Sequence, residues 1–375
     1  MTAELLRGDA YPDAEVLWVN TIGTRPPRLD WLTLRRGLQK VGSWLRPAAD
    51  ADSQDLPQRL QVANPRMWPW VASPAARRIN RRLLDRQLSP LVAAQSAPRI
   101  GVTTIPIAAL VMDVLPVERW VYYCVDDFSV WPGLDGPTLL SLEREVVERA
   151  AVIVCASDSL AARIAGFGRS ATVVTHGVDV DFWSTAASRP PVAPAVGLPA
   201  AIAAAQHPLA VFWGVVDRRL DTAWLARLAA APEIGTVALV GPQQNPDTAI
   251  FDLPNVVTTG AVPMSELPAI AAAADVLVMP YRDEAVTRAM QPLKLKEYLA
   301  TGRPVVVRRL PATEPWSDCC DVVDDPEAFV AMSVQRTGQV LPPQEQQAAR
   351  ERLAKESWRA KADDFWRQVF LLDLN

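Results

Sequence analysis

Short apolar runs alternate with longer, helically patterned stretches along most of the chain. Residues 15–20, 99–103, 120–125, 151–156 and 172–175 read as strands of a first half; residues 209–214, 236–241, 256–262, 275–281 and a run ending at Val307 read as strands of a second. Their apolar positions are continuous rather than alternating, as in parallel strands covered on both faces. Between them, residues 28–46 place Trp31, Leu34, Leu38, Val41 and Leu45 at helical spacing, and residues 75–88 present Ile79, Leu83, Leu84 and Leu88 as a core side. Residues 345–372 read as a closing helix with Trp358, Phe365, Trp366 and Val369 along one face. Strand and helix alternating through both halves predicts an α/β protein of two parallel-sheet domains. The Pro- and Ala-rich residues 188–208 read as the linker, which gives domains at 1–187 and 209–344 and a tail at 345–375.

The most informative stretch is the helix expected at residues 292–301. Pro292 suits its first position, and Gly302 followed by Pro304 suits its end. The unsatisfied N–H groups at a helix start favour an anion, above all a phosphate, and Lys294 adds a full charge there. Glu297 follows one turn later, and a carboxylate beside a phosphate site suits ribose hydroxyls. The same stretch also fits an ordinary amphipathic helix on a sheet. In the first half, Asp126 and Asp127 end a strand, and the carboxyl ends of parallel strands form the ligand edge of such sheets. Their alternative use is as a cap or loop turn.

Composition narrows the class. The chain has 375 residues, half of them apolar, enough for two cores, and a net charge of −4 argues against general nucleic-acid binding. Four cysteines without metal-ligand spacing suit a reduced cytosolic chain. The start of the chain lacks the apolar core of a signal peptide, and no apolar run approaches the roughly 18 to 20 residues of a membrane span, so a soluble protein is expected. Arg35, Arg36, Lys40 and Arg46 lie off the stripe of the first helix; Arg77, Arg78, Arg81, Arg82 and Arg86 mark the second. Both helices read either as docked on the sheet or as basic surfaces in peripheral contact with an anionic membrane.

The segment Pro-Leu-Lys-Leu-Lys-Glu-Tyr-Leu-Ala-Thr-Gly-Arg-Pro-Val-Val, residues 292–306, resembles the nucleotide-sugar signature of retaining GT-B glycosyltransferases, the large bacterial group that includes many polysaccharide enzymes. Tyr-x-Cys-x-Asp-Asp at 122–127, Glu143 with Ala150 seven residues on, and His176-Gly177-Val178-Asp179 leading to Phe182 are similar to further segments of that family. The resemblance implies two Rossmann-like domains facing across a cleft, with a last helix crossing back to the first. It implies a strand and a Gly-containing loop before residue 15. Residues 1–13 are too short and polar for these, so that first strand is expected to be missing.

The family places two glutamates eight positions apart. Glu297 takes the second, on the ribose, whereas Ala289 occupies the first, with Gln291 and Glu284 as substitutes. The basic residue after the first strand of the second domain corresponds to Arg219, beside Arg218; its alternative is a surface salt bridge with Asp221. The implied donor-binding set is Gly214, Arg219, Gln291, Lys294, Leu295 and Glu297, with Asp126 and Asp127 as catalytic candidates. No metal or separate cofactor is implied, and the Asp179-x-Asp181 pair and His176 read as structural. The expected activity moves a sugar, with retention, from a nucleotide-diphosphate sugar to a hydroxyl of a glycan or lipid-linked acceptor. Cell-surface polysaccharide synthesis in the cytoplasm, with peripheral contact at the inner face of the membrane, is the setting this implies. The alternative is a degenerate GT-B protein acting as a binding module.

Overall fold

The computed structural model describes residues 14–20, 59–131, 133–185, 198–290, 293–339 and 341–370. The helix expected at 28–46 lies outside the described residues, as do Gln291, Pro292 and residues 188–197 of the expected linker. Two compact units are present: Thr175–Lys361 forms one, and the described residues up to Val174 with those from Ala362 onward form the other.

In the first unit, β1 (Val16–Val19) pairs in parallel with β2 (Leu60–Ala63). The helix α1 (Pro74–Ala93) follows, its start fixed by Pro74 and by Ser73, whose hydroxyl accepts from the Ala76 N–H at 3.2 Å. Its buried positions are Ala76, Asn80, Leu84, Leu88 and Val92, a strict four-residue spacing. This corrects the expected core side, since Ile79 and Leu83 are exposed and the polar Asn80 is buried instead. The reason is the Trp- and Pro-rich connection, which the Asn80 amide holds to the helix. Asn80 accepts from the Trp68 N–H at 2.6 Å and donates to the Trp68 and Trp70 carbonyls at 3.1 and 2.9 Å.

A four-stranded parallel sheet is built from β3 (Ile100–Thr103) and β4 (Arg119–Cys124), then, after α2 (Gly136–Arg149), β5 (Val152–Cys155), and after α3 (Asp158–Ala165), β6 (Thr172–Val173), in the order β3-β4-β5-β6. Residues Val121, Tyr122, Val154 and Cys155 form its buried centre with Leu142 and Val146 of α2 and with Phe365 and Val369 from the end of the chain. The buried face of α2 also carries a charge. Glu143, 1% exposed, accepts from Arg163 at 2.7 and 2.6 Å and from the Tyr122 hydroxyl at 2.9 Å. Arg163 reaches on to Asp127 at 2.8 Å.

In the second unit, α4 (Val180–Ser184) precedes β7 (Leu209–Trp213), α5 (Thr222–Ala230), β8 (Thr236–Val240), β9 (Val256–Gly260), β10 (Val276–Met279), α6 (Leu293–Ala300), β11 (Val305–Arg308), β12 (Asp321–Val323) and α7 (Pro326–Thr337). The six strands are parallel in the order β12-β11-β10-β7-β8-β9, and every residue of β7 and β8 is buried. Strand order therefore grows outward in both directions from the β7–β10 pair, the point where doubly wound sheets open a crevice at their carboxyl edge.

The unit boundary differs from the expected division. Residues 175–185 and 345–361 both fall in the second unit, because the Val178 N–H bonds the Glu356 carbonyl at 2.8 Å and Trp183 stacks on Trp213. The tail is accordingly not one helix. Gln344–Arg350 is followed by a 3-10 turn over Glu351–Glu356 and then by α8 (Trp358–Phe370), within which the chain passes from one unit to the other.

Glu143 is almost dry, and removing its charge leaves the partly buried Arg163 with Asp127 as its remaining ionic partner. Glu143→Gln should lower unfolding free energy by about 3 to 5 kcal/mol in denaturant titration, and Glu143→Gln combined with Arg163→Met should recover part of it. Equal losses in the single and double variants would remove the ion pair from the stability of this unit.

Candidate functional site

Three side chains of α6 leave the helix in different directions, and one of them enters the β7–β10 crevice. Lys294 Nζ donates a close hydrogen bond to the Tyr281 hydroxyl and lies 5.1 Å from the ring centres of both Phe212 and Tyr281. Phe212 belongs to β7 and Tyr281 follows β10, so the ammonium marks the crevice itself. Glycine makes this approach possible. Gly214 has φ +143°, and a Cβ there would stand 2.3 Å from Lys294 Nζ. A Cβ on Gly241, at φ +141°, would stand 2.0 Å from the Gly214 carbonyl oxygen. Gly214 is thus favoured chiefly by its backbone angle, since the first atoms a Cβ would meet are the movable end of Lys294.

Arg219 approaches the same tyrosine, with its guanidinium carbon 5.9 Å from the Tyr281 ring centre. Its fork is bound to Asp217, Nη2 to Oδ2 at 2.7 Å and Nε to both oxygens at 3.0 Å, and Nη1 touches Met290 Sδ at 3.7 Å. Asp221, the expected salt-bridge partner, instead caps α5 and pairs with Arg308 at 2.8 Å.

Glu297, half-buried one turn along α6 from Lys294, accepts from the Trp213 indole N–H through Oε2 at 3.2 Å. Burial pushes its carboxyl above the usual range, against the Trp213 hydrogen bond and the nearby Lys294 charge. Leu295, expected in the donor set, has its side chain in the hydrophobic core at 1% exposure. Lys296, two positions from Lys294 and so on the opposite side of α6, is 2% exposed. It bonds the Thr175 hydroxyl at 2.9 Å, the His176 carbonyl at 2.6 Å and Glu356 at 2.5 Å. Burial pulls its pKa below the ordinary lysine value, with Glu356 opposing.

The remaining expected residues are dispersed. Gln291 lies outside the described residues. Glu284 is exposed and forms a capping box with Thr287 on the short helix Ala285–Ala289, which Ala289 ends. Glu284 also borders a shallow concavity of about 700 Å³, where Arg308 is neutralised by Asp221 and Arg282 lies 3.6 Å from Asp247. Asp126 and Asp127 stand at the carboxyl edge of β4, as their position after the strand requires. Asp127 is committed locally: it caps the turn at Phe128–Val130, accepting from the Ser129 N–H at 3.0 Å, and binds Arg163. Asp179 caps α4, accepting from the Phe182 N–H at 3.0 Å. Among the described residues no group of three His, Cys, Asp or Glu is placed to hold a metal ion.

Tyr281, Trp213, Asp217 and Lys296 complete these contacts and were not singled out from the sequence. Trp213 and Tyr281 each stand at the carboxyl end of a predicted strand, the same signal that drew attention to Asp126 and Asp127. Asp217 and Lys296 carry no such signal, because their partners are set by turn geometry and by chain segments far away in sequence.

Residues 215–336 match the model of the family described as Glycosyl transferases group 1. A Bacillus subtilis (strain 168) protein, TuaH, assigned as a teichuronic acid biosynthesis glycosyltransferase, is 30% identical over 182 residues, covering 46% of this chain and 44% of that protein. The chain therefore spans less than half the length of this curated relative. Among solved structures, sucrose-phosphate synthase of Thermosynechococcus elongatus has a TM-score of 0.64 at 14% identity, covering 96% of this chain and 100% of that one. The Anabaena protein HepE, in complex with UDP, has a TM-score of 0.58 at 12% identity, covering 83% and 85%. These likenesses show the fold, that of GT-B glycosyltransferases.

One consequence of the Lys296 cluster is testable by pH. Burial first, and the Lys296 charge second, lower the His176 imidazole from 6.5 to about 4. Above the ordinary value the ring is neutral in both states and contributes nothing. Between 6.5 and about 4 the unfolded chain binds a proton that the folded chain does not, so stability falls as pH drops through that window. His176→Gln should reduce the loss in denaturation midpoint between about pH 7 and about pH 4.5. An unchanged loss would show that His176 titrates normally.

Proposed function

We infer that this chain, a member of the Glycosyl transferases group 1 by its residues 215–336, moves a sugar from a nucleotide-diphosphate sugar to a hydroxyl group. The observation that carries this reading is the meeting of Arg219, Lys294 and Glu297 around Tyr281 and Trp213 at the β7–β10 crevice. Two cations suit a diphosphate, and a neighbouring carboxylate suits ribose hydroxyls. HepE was solved with UDP, which supports the same class of donor. The likeness to a protein assigned to teichuronic acid synthesis supports a cell-surface glycan or lipid-linked acceptor.

In the proposed reaction the bond between the anomeric carbon and the diphosphate oxygen breaks as the acceptor oxygen bonds to the same carbon, on the same face. The acceptor proton passes to the departing diphosphate, so no histidine base is needed. Charge grows on that diphosphate in the transition state, where Arg219 and Lys294 act most strongly. Loss of either should raise the barrier by about 2.7 to 4 kcal/mol. In the first unit, Asp127 is assigned to holding its loop against Arg163, and half-buried Asp126 at the same strand end to hydroxyls of the acceptor. No separate cofactor enters this scheme.

A non-catalytic binding module is the second reading, favoured by Ala289 in place of the first glutamate. Thermal unfolding against UDP, GDP, ADP and TDP, with wild type beside Glu297→Ala, tests the donor site. A nucleotide at 100 times its dissociation constant should stabilise the wild type by about 2.7 kcal/mol, and the variant far less. No shift with any of the four would sink the donor reading. Binding without release of nucleoside diphosphate from a bound sugar donor would favour the module.

We place the activity in the cytoplasm at the membrane surface. No helix among the described residues is long and apolar enough to cross a membrane. Arg78, Arg82 and Arg86, spaced by four on α1, are exposed beside Ile79 and Leu83, a pattern that suits anionic lipid. The chain should sediment with phosphatidylglycerol vesicles and not with phosphatidylcholine vesicles, and replacing the three arginines by glutamine should abolish this. Sedimentation that ignores lipid charge would refute the contact.

A further inference from the structure

Trp213 is held more firmly than its place at a strand end requires. It is 3% exposed, stacked on Trp183 with ring centres 5.4 Å apart and planes 7° apart, and packed against Tyr298 at 4.1 Å. Its backbone is fixed as well: the Trp213 N–H donates to the Tyr298 hydroxyl oxygen at 2.8 Å, and that hydroxyl lies 3.2 Å from the Trp213 carbonyl. A ring locked on two faces and at its backbone presents its one polar atom in a fixed direction. That atom, Nε1, donates to Glu297 Oε2.

The consequence falls on the carboxylate. Glu297 is free to turn about its terminal bond unless something holds one oxygen, and among the described residues Trp213 gives it the single hydrogen bond recorded. With Oε2 engaged by a fixed N–H, the carboxylate is held toward one plane, and Oε1 and the remaining lone pair of Oε2 keep their capacity to accept. A carboxylate that accepts from a sugar diol must present both oxygens edge-on, so a fixed plane discriminates a diol from a single hydroxyl. A rotating carboxylate accepts whichever hydroxyl is offered.

We propose that Trp213 is a positioning residue that sets the plane of the Glu297 carboxylate, and that this makes the site select ribonucleotides over deoxyribonucleotides. The proposal rests on the donor reading given above, and adds to it the group that confers the ribose requirement. Trp213 touches no substrate in this scheme. Its effect passes wholly through Glu297.

Calorimetric titration of the full chain with UDP, GDP and ADP, each beside its 2′-deoxy and 3′-deoxy analogue, tests it. In the wild type, loss of a hydroxyl should weaken binding roughly tenfold or more, as for a hydrogen bond to a charged group. Trp213→Phe keeps an aromatic ring between Trp183 and Tyr298 but removes the N–H. It should weaken the ribonucleotide roughly tenfold while leaving the deoxy analogues within about threefold, so the ratio collapses. Trp183→Phe loosens one face of the lock but keeps the donor and the Tyr298 packing, and should lower the ratio less than Trp213→Phe does. If Trp213→Phe keeps the wild-type ratio, or Trp183→Phe loses it equally, the inference is overturned and the donor reading stands. If the wild type binds but does not discriminate, Glu297 is not on the ribose and the inference falls with that assignment. If none of the three ribonucleotides binds, the donor reading itself is refuted.

Discussion

A lysine ammonium with 2% exposure sits in the middle of α6, and the rest of the second unit is arranged around satisfying it. Lys296 cannot be buried alone, because a desolvated charge needs a partner and further hydrogen bonds. Glu356, Thr175 and the His176 carbonyl supply them, and these come from the first residues of the unit and from near its last. One side chain thereby fixes the roll of α6 about its axis. With that roll set, Lys294 faces the β7–β10 crevice and Glu297 faces Trp213, while Leu295 turns into the core.

The strands were legible because burial on both faces leaves an unbroken apolar run, and β7, β8, β10 and β11 carry one each. The helix α6 was legible because Pro292 and Gly302 mark its ends in the sequence and Lys294 its charge. What was not legible depended on contacts distant in sequence. Nothing around Lys296 indicates that it is buried, since its acceptors lie some 60 and 120 positions away. The apolar letters of α1 suggested Ile79 and Leu83 as its core side, yet Asn80 took the core position because a neighbouring loop offered backbone partners. Hydropathy cannot anticipate a polar side chain that is fully satisfied.

The first unit shows the same principle in a different setting. Glu143 is spaced seven residues before Ala150, a pattern that reads as a family mark without an evident job. In the structure it anchors Arg163, which in turn holds Asp127, so a carboxylate expected to meet substrate is part of a chain of charges running inward from the sheet edge.

Arg219 illustrates how such arrangements shape an encounter. A lone arginine at a crevice would sample many rotamers, and any anion it met would have to immobilise it. Asp217 already holds the guanidinium fork in register, with its outer edge against Tyr281 and Met290. The loss of side-chain entropy is thereby incurred when the chain folds and not when an anion arrives. An incoming oxygen meets a cation of reduced net field but fixed direction, a pairing that favours geometric selectivity over raw electrostatic pull.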